Sequence, residues 1–358
     1  MSNLVSVRNT LEPASLVDCF EAYPPEGFYF LRGAAAPAFA APFNLLTTAD
    51  EKLLGKLSRL PGYQWWSSKL NIKTAFVGTT VSEYALLPLQ TTPAELANQV
   101  RQQLGNRYTL CIIKDIPWNS PLLSQEDNEY ANKLVEACNK DHYLVIDGQA
   151  LSFVPIDFPD IEAYLQRLKK SSRRYIKRRL RNQDDIQVIE QYTGPDFNDE
   201  TRIDQYYSLY KAVYEQSEIH FDILTREFFS AVLKDETSKG IVFEYRHQET
   251  GMLLGWNLCY VENNKLVDKY IGLSYPAARD VSLYFVSWIY NLEYCLKNGY
   301  SHYIAGWTDP EVKAMLGASF TGTRHAVYIR NPLLRKLLGL FKNRISPDSQ
   351  WIEGNTSE

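Results

Sequence analysis

Residues 251–330 read GMLLGWNLCYVENNKLVDKYIGLSYPAARDVSLYFVSWIYNLEYCLKNGYSHYIAGWTDPEVKAMLGASFTGTRHAVYIR, and the parsing of this stretch decides the fold. Apolar and polar residues alternate over Gly255–Val261 as in a strand, with Gly251 in the turn before it. Asn263-Asn264 predicts a tight hairpin turn, and Leu266–Leu273 the returning strand. Over Val281–Lys297, Leu283, Val286, Tyr290 and the set Trp288, Leu292, Cys295 recur at spacings of three and four, so a helix follows, with Gly299 as its stop. Tyr300–Ala305 predicts a short strand, Pro310–Leu316 a brief helix closed by Gly317, and Ala326–Ile329 a last strand. The connection from Leu273 to Tyr300 is long enough for a parallel crossover, so the sheet is mixed. In such sheets ligands lie at strand ends beside helix starts. The small and polar residues at those places are Asn257, Gly272, Ser274, Ser282, Gly306, Thr308, Asp309, Lys313 and Gly317.

The run Asp268-Lys269-Tyr270-Ile271-Gly272, the long helix after it, Asn298-Gly299-Tyr300, Gly306-Trp307 and Lys313-Ala314-Met315-Leu316-Gly317-Ala318 agree in order and spacing with one known group. They resemble the FemAB-like, peptidoglycan-biosynthesis-type branch of the GNAT acyltransferase superfamily, over Ile161–Arg330. The chain departs from acetyl-CoA-dependent GNATs in lacking an R/Q-x-x-G-x-G/A pyrophosphate loop. The resemblance implies an α/β (α+β mixed sheet) GNAT-like fold in two tandem domains, with the N-terminal one degenerate. The expected division is residues 1–152, residues 153–345 and a frayed tail over residues 346–358.

The resemblance also implies an enzyme, an N-acyltransferase or aminoacyltransferase. Its acyl group would come from a phosphopantetheine thioester, on an acyl carrier protein or on coenzyme A, and pass to an amine by direct attack in a ternary complex. The thioester is a co-substrate; no permanently bound cofactor and no metal are expected. Two alternatives stand beside it: aminoacyl-tRNA as donor, as used by the peptidoglycan-bridge relatives, and a non-catalytic module that docks a carrier protein or nucleic acid.

Composition narrows the class. At 358 residues the chain fits two domains, and 45% hydrophobic with 22% charged residues is the profile of a soluble globular protein. A net charge of −4 excludes a generally basic nucleic-acid binder while leaving room for a local basic patch. Five scattered cysteines without a C-x-x-C pair argue against zinc and a disulfide framework and fit a reducing cytoplasm. The N-terminus lacks the basic-then-apolar order of a signal peptide, and no stretch has the apolar length of a membrane span, so a cytoplasmic protein is expected. Leu333–Phe341, edged by Arg335, Lys336, Lys342 and Arg344, reads as a docked terminal helix or a peripheral membrane helix.

The first 150 residues alternate helix and strand. Gly27–Arg32 reads as a strand and Ala34–Ala41 as a loop. Thr48 with Glu51 forms a capping box for a helix to Leu60, and Trp65-Trp66 lies in an aromatic, strand-like segment. A helix begins at Thr92-Pro93-Ala94-Glu95, a strand spans Tyr108–Lys114, a helix Ser124–Lys140 and a strand His142–Asp147. Pro155 and Pro159 place the domain boundary in Phe153–Asp160. Ile161–Asn182 then reads as one helix carrying eight cations within thirteen residues. That face is either solvated, with its aliphatic stems covering the sheet, or a dock for a polyanion through Arg173, Arg174, Lys177, Arg178 and Arg181. Helices follow over Asp204–Gln216 and Thr225–Leu233, with the His220 loop between them, and Ile241–Arg246 pairs with the Gly255 strand.

No Ser/His/Asp or Cys/His arrangement of known spacing is present, so no covalent intermediate is expected. Direct acyl transfer needs a donor for the developing oxyanion, a base for the amine, and alignment. The base candidates are Asp268, Asp309, His220 and His302, the last flanked by tyrosines in a short strand and so the weaker histidine; aspartate must be raised from its ordinary value, histidine less so. By the resemblance, Asp268–Leu273 is the splayed strand whose amides hold the thioester, with Asn257, Tyr270, Gly272 and Ser274 along it. Gly272 either opens that strand pair to the ligand or marks a plain bulge. Tyr284 is a proton donor to the leaving group or a core tyrosine. Lys313, one turn before Gly317, is placed to bind phosphate or an acceptor carboxylate.

Overall fold

The computed structural model describes residues 6–44, 71–217, 221–339 and 351. The predicted Thr48–Leu60 helix, the Trp65-Trp66 pair and His220 lie outside them. In chain order the elements are β1 (Val7–Arg8), α1 (Ala14–Ala22), β2 (Tyr29–Phe30), β3 (Ala38–Asn44), β4 (Asn71–Val77), β5 (Leu87–Pro88), α2 (Pro93–Val100), β6 (Leu110–Trp118), α3 (Gln125–Lys140) and β7 (Leu144–Pro155). There follow α4 (Ile161–Arg167), α5 (Lys170–Arg179), β8 (Ile186–Tyr192), α6 (Glu200–Gln216), α7 (Arg226–Lys234), β9 (Ile241–His247), β10 (Leu253–Glu262) and β11 (Lys265–Leu273). The last are α8 (Ala277–Asp280), α9 (Leu283–Asn298), β12 (His302–Gly306), α10 (Pro310–Met315), β13 (Ser319–Ile329) and α11 (Pro332–Gly339). They form two compact units, one of residues 1–10, 27–151 and 320–358, the other of residues 11–26 and 152–319.

In the first unit the strands run β2-β3-β4-β6-β13-β7. Leu96, Val100, Leu134 and Cys138 of α2 and α3 bury against Val77, Ile113 and Ala326 of the sheet. Thr92 and Glu95 form a full capping box at the start of α2. The expected Ala34–Ala41 loop contains most of β3 instead. Pro42 is tolerated in this strand because β2 pairs only with Phe39 and Ala40, so no ladder amide is needed at Pro42 on that side. β4 and β6 run parallel only as far as Val77 opposite Ile113. Past that point residues 78–85 fill the gap: Lys114 Nζ donates to the Thr79 carbonyl (2.8 Å) and the Ala85 amide to the Asp115 carbonyl (2.9 Å). The first unit's own strand fork is therefore occupied by its own chain.

In the second unit the order is β8-β9-β10-β11-β12, with the end of β7, Ser152–Pro155, antiparallel to β12. β11 and β12 are parallel, and the β8, β9, β10 and β11 neighbours are antiparallel. The hairpin turn falls where the sequence places it, with Asn263 and Asn264 both at positive φ, 48° and 59°. Trp256 and Asn257 point to opposite faces. Trp256 stacks on Tyr206 of α6 (4.9 Å between centroids), while Asn257 lies within 3.4 Å of Asn291 on α9. Leu283, Val286, Ile289 and Leu292 of α9 join the core on that second face.

The single helix expected over Ile161–Asn182 is broken. α4 ends at Arg167, Leu168 is extended (φ −75°, ψ 152°), and α5 starts at Lys170. Leu168 leaves the helix to pack over Gly317, where a Cβ would collide with it. The predicted Ala326–Ile329 strand is the end of an eleven-residue strand, β13, that lies with the first unit.

Candidate active site

The site starts where β11 and β12 part. Their parallel pairing covers Lys265, Leu266 and Val267 opposite His302, Tyr303 and Ile304, and then stops. On its other edge β11 stays paired with β10 from Glu262–Lys265 to Gly255–Leu273. That ladder has one irregularity: Leu258 faces Tyr270 and Cys259 faces Asp268, so Lys269 is an extra, bulged residue. The bulge falls one residue past Asp268, the first residue of β11 free of β12. Beyond it Ile271 and Leu273 face the α9 side, and Tyr270 and Gly272 the α6–α7 side.

The wedge therefore opens at Asp268 and toward β12, which differs from the expectation that Gly272 opens it. Gly272 pairs with Trp256 in the closed ladder. A Cβ there would come within 3.0 Å of the Trp256 indole nitrogen and 2.9 Å from Leu209 Cβ, so this glycine serves the packing of α6.

Three elements converge on Asp268. Asn257 Nδ2 of β10 donates to Asp268 Oδ1 (3.0 Å), and Asn291 Nδ2 of α9 to Oδ2 (3.0 Å). The Tyr303 hydroxyl of β12 also donates to Oδ2 (2.9 Å). Tyr245 donates in turn to Asn257 Oδ1 (2.9 Å), which fixes that amide with its NH2 toward the carboxylate. Asn257, Asn291, Tyr245 and Tyr303 are all buried. Burial raises the Asp268 carboxyl above its ordinary value, against the pull of Asn257, Tyr303 and the Lys313 charge. Lys313 is itself buried, and its Nζ donates to the Ala305 carbonyl (2.6 Å), one residue past the last β11–β12 pair. This lysine closes the free edge of β12 and supplies positive charge to Asp268.

Tyr284, on the first turn of α9, lines a cleft of about 190 Å³ with Arg179, Leu273, Tyr275, Arg279 and Ser282. Its hydroxyl makes no hydrogen bond among the described residues, and burial followed by the charges of Asp309 and Asp268 holds its proton well above the ordinary tyrosine range. Asp309 thus belongs to the same electrostatic neighbourhood; it precedes α10 at φ 53° and makes no side-chain cap. Ser282 precedes α9 at φ 56°, also without a side-chain cap. Arg179 stacks on Tyr175 (4.9 Å) and Arg279 on Tyr275 (5.2 Å), and neither has a carboxylate partner among the described residues. Two uncompensated guanidiniums beside the start of a sixteen-residue helix make this cleft attractive to an anion.

The basic face is a groove of about 330 Å³ along α5, lined by Lys170, Arg173, Arg174, Lys177, Arg178 and Arg181. Among the described residues only Lys177 of these six is ion-paired, with Glu162 at 2.8 Å. Arg179, on the same helix, lines the Tyr284 cleft and not this groove.

Of the remaining expected site residues, Tyr270 faces away from the fork, edge-on to Phe228 and Phe229, with its hydroxyl buried and without a hydrogen-bond partner among the described residues. The Ser274 amide bonds the Leu254 carbonyl (2.8 Å) and so ends the β10–β11 ladder. Gly317 makes room for Leu168. Sequence reasoning missed Asn291, Tyr303, Tyr245 and Arg279, and counted Arg179 only among the cations of the basic helix. Asn291 carried the one usable signal, a polar residue among the buried positions of an apolar helix.

A mixed sheet whose parallel central pair parts halfway, with a helix starting at the mouth of the parting, is the architecture of GNAT-like acyl-transfer proteins. The chain belongs to the FemAB-like family, described as peptidoglycan biosynthesis/recognition, whose model matches residues 114–352. Among solved structures it is similar to FemX, with 10% identity, 93% of this chain and 99% of that one covered, and a TM-score of 0.53. It is also similar to L-PGS from Bacillus licheniformis, with 10% identity, coverage of 92% and 97%, and a TM-score of 0.51. No curated protein sequence matches. The two structural likenesses establish the fold.

Proposed function

We propose that the second unit moves an acyl or aminoacyl group from an activated, phosphate-bearing donor to an amine, by direct attack with both substrates bound. The observation that carries this is the parting of β11 from β12 at Asp268, with a cleft at the end of β11 where Tyr284 meets Arg179 and Arg279, two arginines without a carboxylate partner among the described residues. A carbonyl laid along β11 past Val267 meets backbone that no neighbouring strand uses, which favours the developing oxyanion. Tyr284 keeps its proton at neutral pH and delivers it to the leaving sulfur or oxygen. Asp268, raised by burial toward the working range of a base, takes the proton of the amine through the Tyr303 hydroxyl bonded to it. Arg179 and Arg279 hold donor phosphate, and the α5 groove receives the carrier.

Two donor classes fit this chemistry: a phosphopantetheine thioester on coenzyme A or an acyl carrier protein, and aminoacyl-tRNA. Incubating the protein with acyl-CoA, acyl carrier protein and aminoacyl-tRNA against a panel of amines, with mass spectrometry of the products, decides between them. One donor class should give the amide product, and Tyr284→Phe and Asp268→Asn should each lose most of it. Carrier binding at the groove without condensation from any donor would make the protein a docking module instead.

A further inference from the structure

The bulged residue Lys269 is held by a partner from far along the chain. Lys269 Nζ lies 3.3 Å from Glu12 Oε1, and the two side chains are only 6% and 3% exposed. Glu12 belongs to residues 11–26, the part of the N-terminus that packs with the second unit; the following helix, α1, buries Leu16, Val17 and Phe20 there. We infer that Glu12 is a positioning residue for the proposed transfer, because its buried ion pair with Lys269 pins the bulge that turns Asp268 into the fork.

Side chains on a strand alternate faces, so absorbing the extra residue of a bulge by a slip of one position would send every later side chain to the opposite face. With the bulge, Lys269 and Tyr270 both face the α7 side, and Asp268 keeps the α9 side, where Asn257, Asn291 and Tyr303 meet it. Without it, Asp268 and Ile271 would no longer share a face. A buried ion pair is a poor source of net stability, since desolvation cancels most of the attraction. Its use at this place is specificity: the bulged register sets Lys269 against Glu12.

The test begins with hydrogen–deuterium exchange, which needs no known substrate. In Glu12→Gln, peptides covering residues 265–273 should exchange about tenfold faster or more, since breaking a buried pair is strongly destabilising. Peptides from β9 and the middle of α9 should keep wild-type rates, and Glu12→Asp should restore part of the protection. The double variant Glu12→Leu/Lys269→Leu guards against a mere folding defect. It should melt near the wild-type temperature and still exchange fast at residues 265–273. Wild-type exchange there in Glu12→Gln, or acceleration spread over the whole unit, would overturn the inference. The second readout rests on the proposed function: Glu12→Gln should lower kcat with the donor KM unchanged. Loosened exchange with full turnover would remove Glu12 from the reaction. Absence of any turnover in the wild type would count against the proposed function, leaving exchange to decide the bulge.

Discussion

Replacing Gly272 by alanine separates a packing glycine from a ligand-binding one. The added methyl would come within 3.0 Å of Trp256 Nε1 and 2.9 Å from Leu209 Cβ, against ordinary contact beginning at 3.4 Å. Neither neighbour has room to retreat. Trp256 is fully buried, stacked on Tyr206, and its indole N–H donates to the Tyr206 carbonyl (3.0 Å). Overpacking of this kind costs about 1–3 kcal/mol, and loss of the indole bond about 1 kcal/mol more. The reduced backbone freedom of alanine in the unfolded chain returns roughly 0.5–1 kcal/mol, leaving a net loss of about 1–3.5 kcal/mol. Urea unfolding followed by tryptophan fluorescence reads this as a lower midpoint at unchanged slope. Wild-type stability combined with weakened donor binding would refute the packing assignment and return Gly272 to the ligand path.

Asp268→Asn should show a pH-dependent stability difference. The folded-state value of Asp268 is raised, so its contribution favours folding fully below the unfolded value near 4 and is lost as pH rises through the folded value. Urea midpoints should therefore move in favour of the variant between pH 4 and pH 7; a difference independent of pH would contradict the raised value. Charge reversal of Arg173, Arg174 and Arg178 to glutamate should weaken carrier binding by about tenfold or more at low salt, and raising the salt should shrink the gap. Equal affinity of the variant and the wild type in a fluorescence-anisotropy titration would free the groove of that role.

Local elements were legible because their signals are local. The Asn263-Asn264 turn, the apolar period of α9 with Gly299 after it, and the proline-led α10 all stand where the sequence places them. Asp268, Tyr284 and Asp309 were recognisable as polar groups at strand and helix ends, and the structure brings them into one neighbourhood. The position of the wedge was not legible, because it depends on where β11 stops pairing with β12, and their pairing residues lie more than thirty positions apart. The break at Leu168 has the same origin: it is set by Gly317, which the sequence around Leu168 does not announce. Glu12 was hidden for the same reason, since its partner is 257 residues away. The Asn257–Asn291–Tyr303 cage around Asp268 joins three elements whose polar residues look isolated when each is read alone.

The central claim is that the donor's acyl chain enters between β11 and β12 above Asp268. A donor carrying a diazirine in its acyl chain, photolysed on the protein and mapped by peptide mass spectrometry, tests it most directly. Labels should concentrate on residues 268–273 and on Tyr284 and its neighbours, and should be competed away by unlabelled donor. Competed labelling confined to the first unit, or absent from residues 268–273, would contradict the claim.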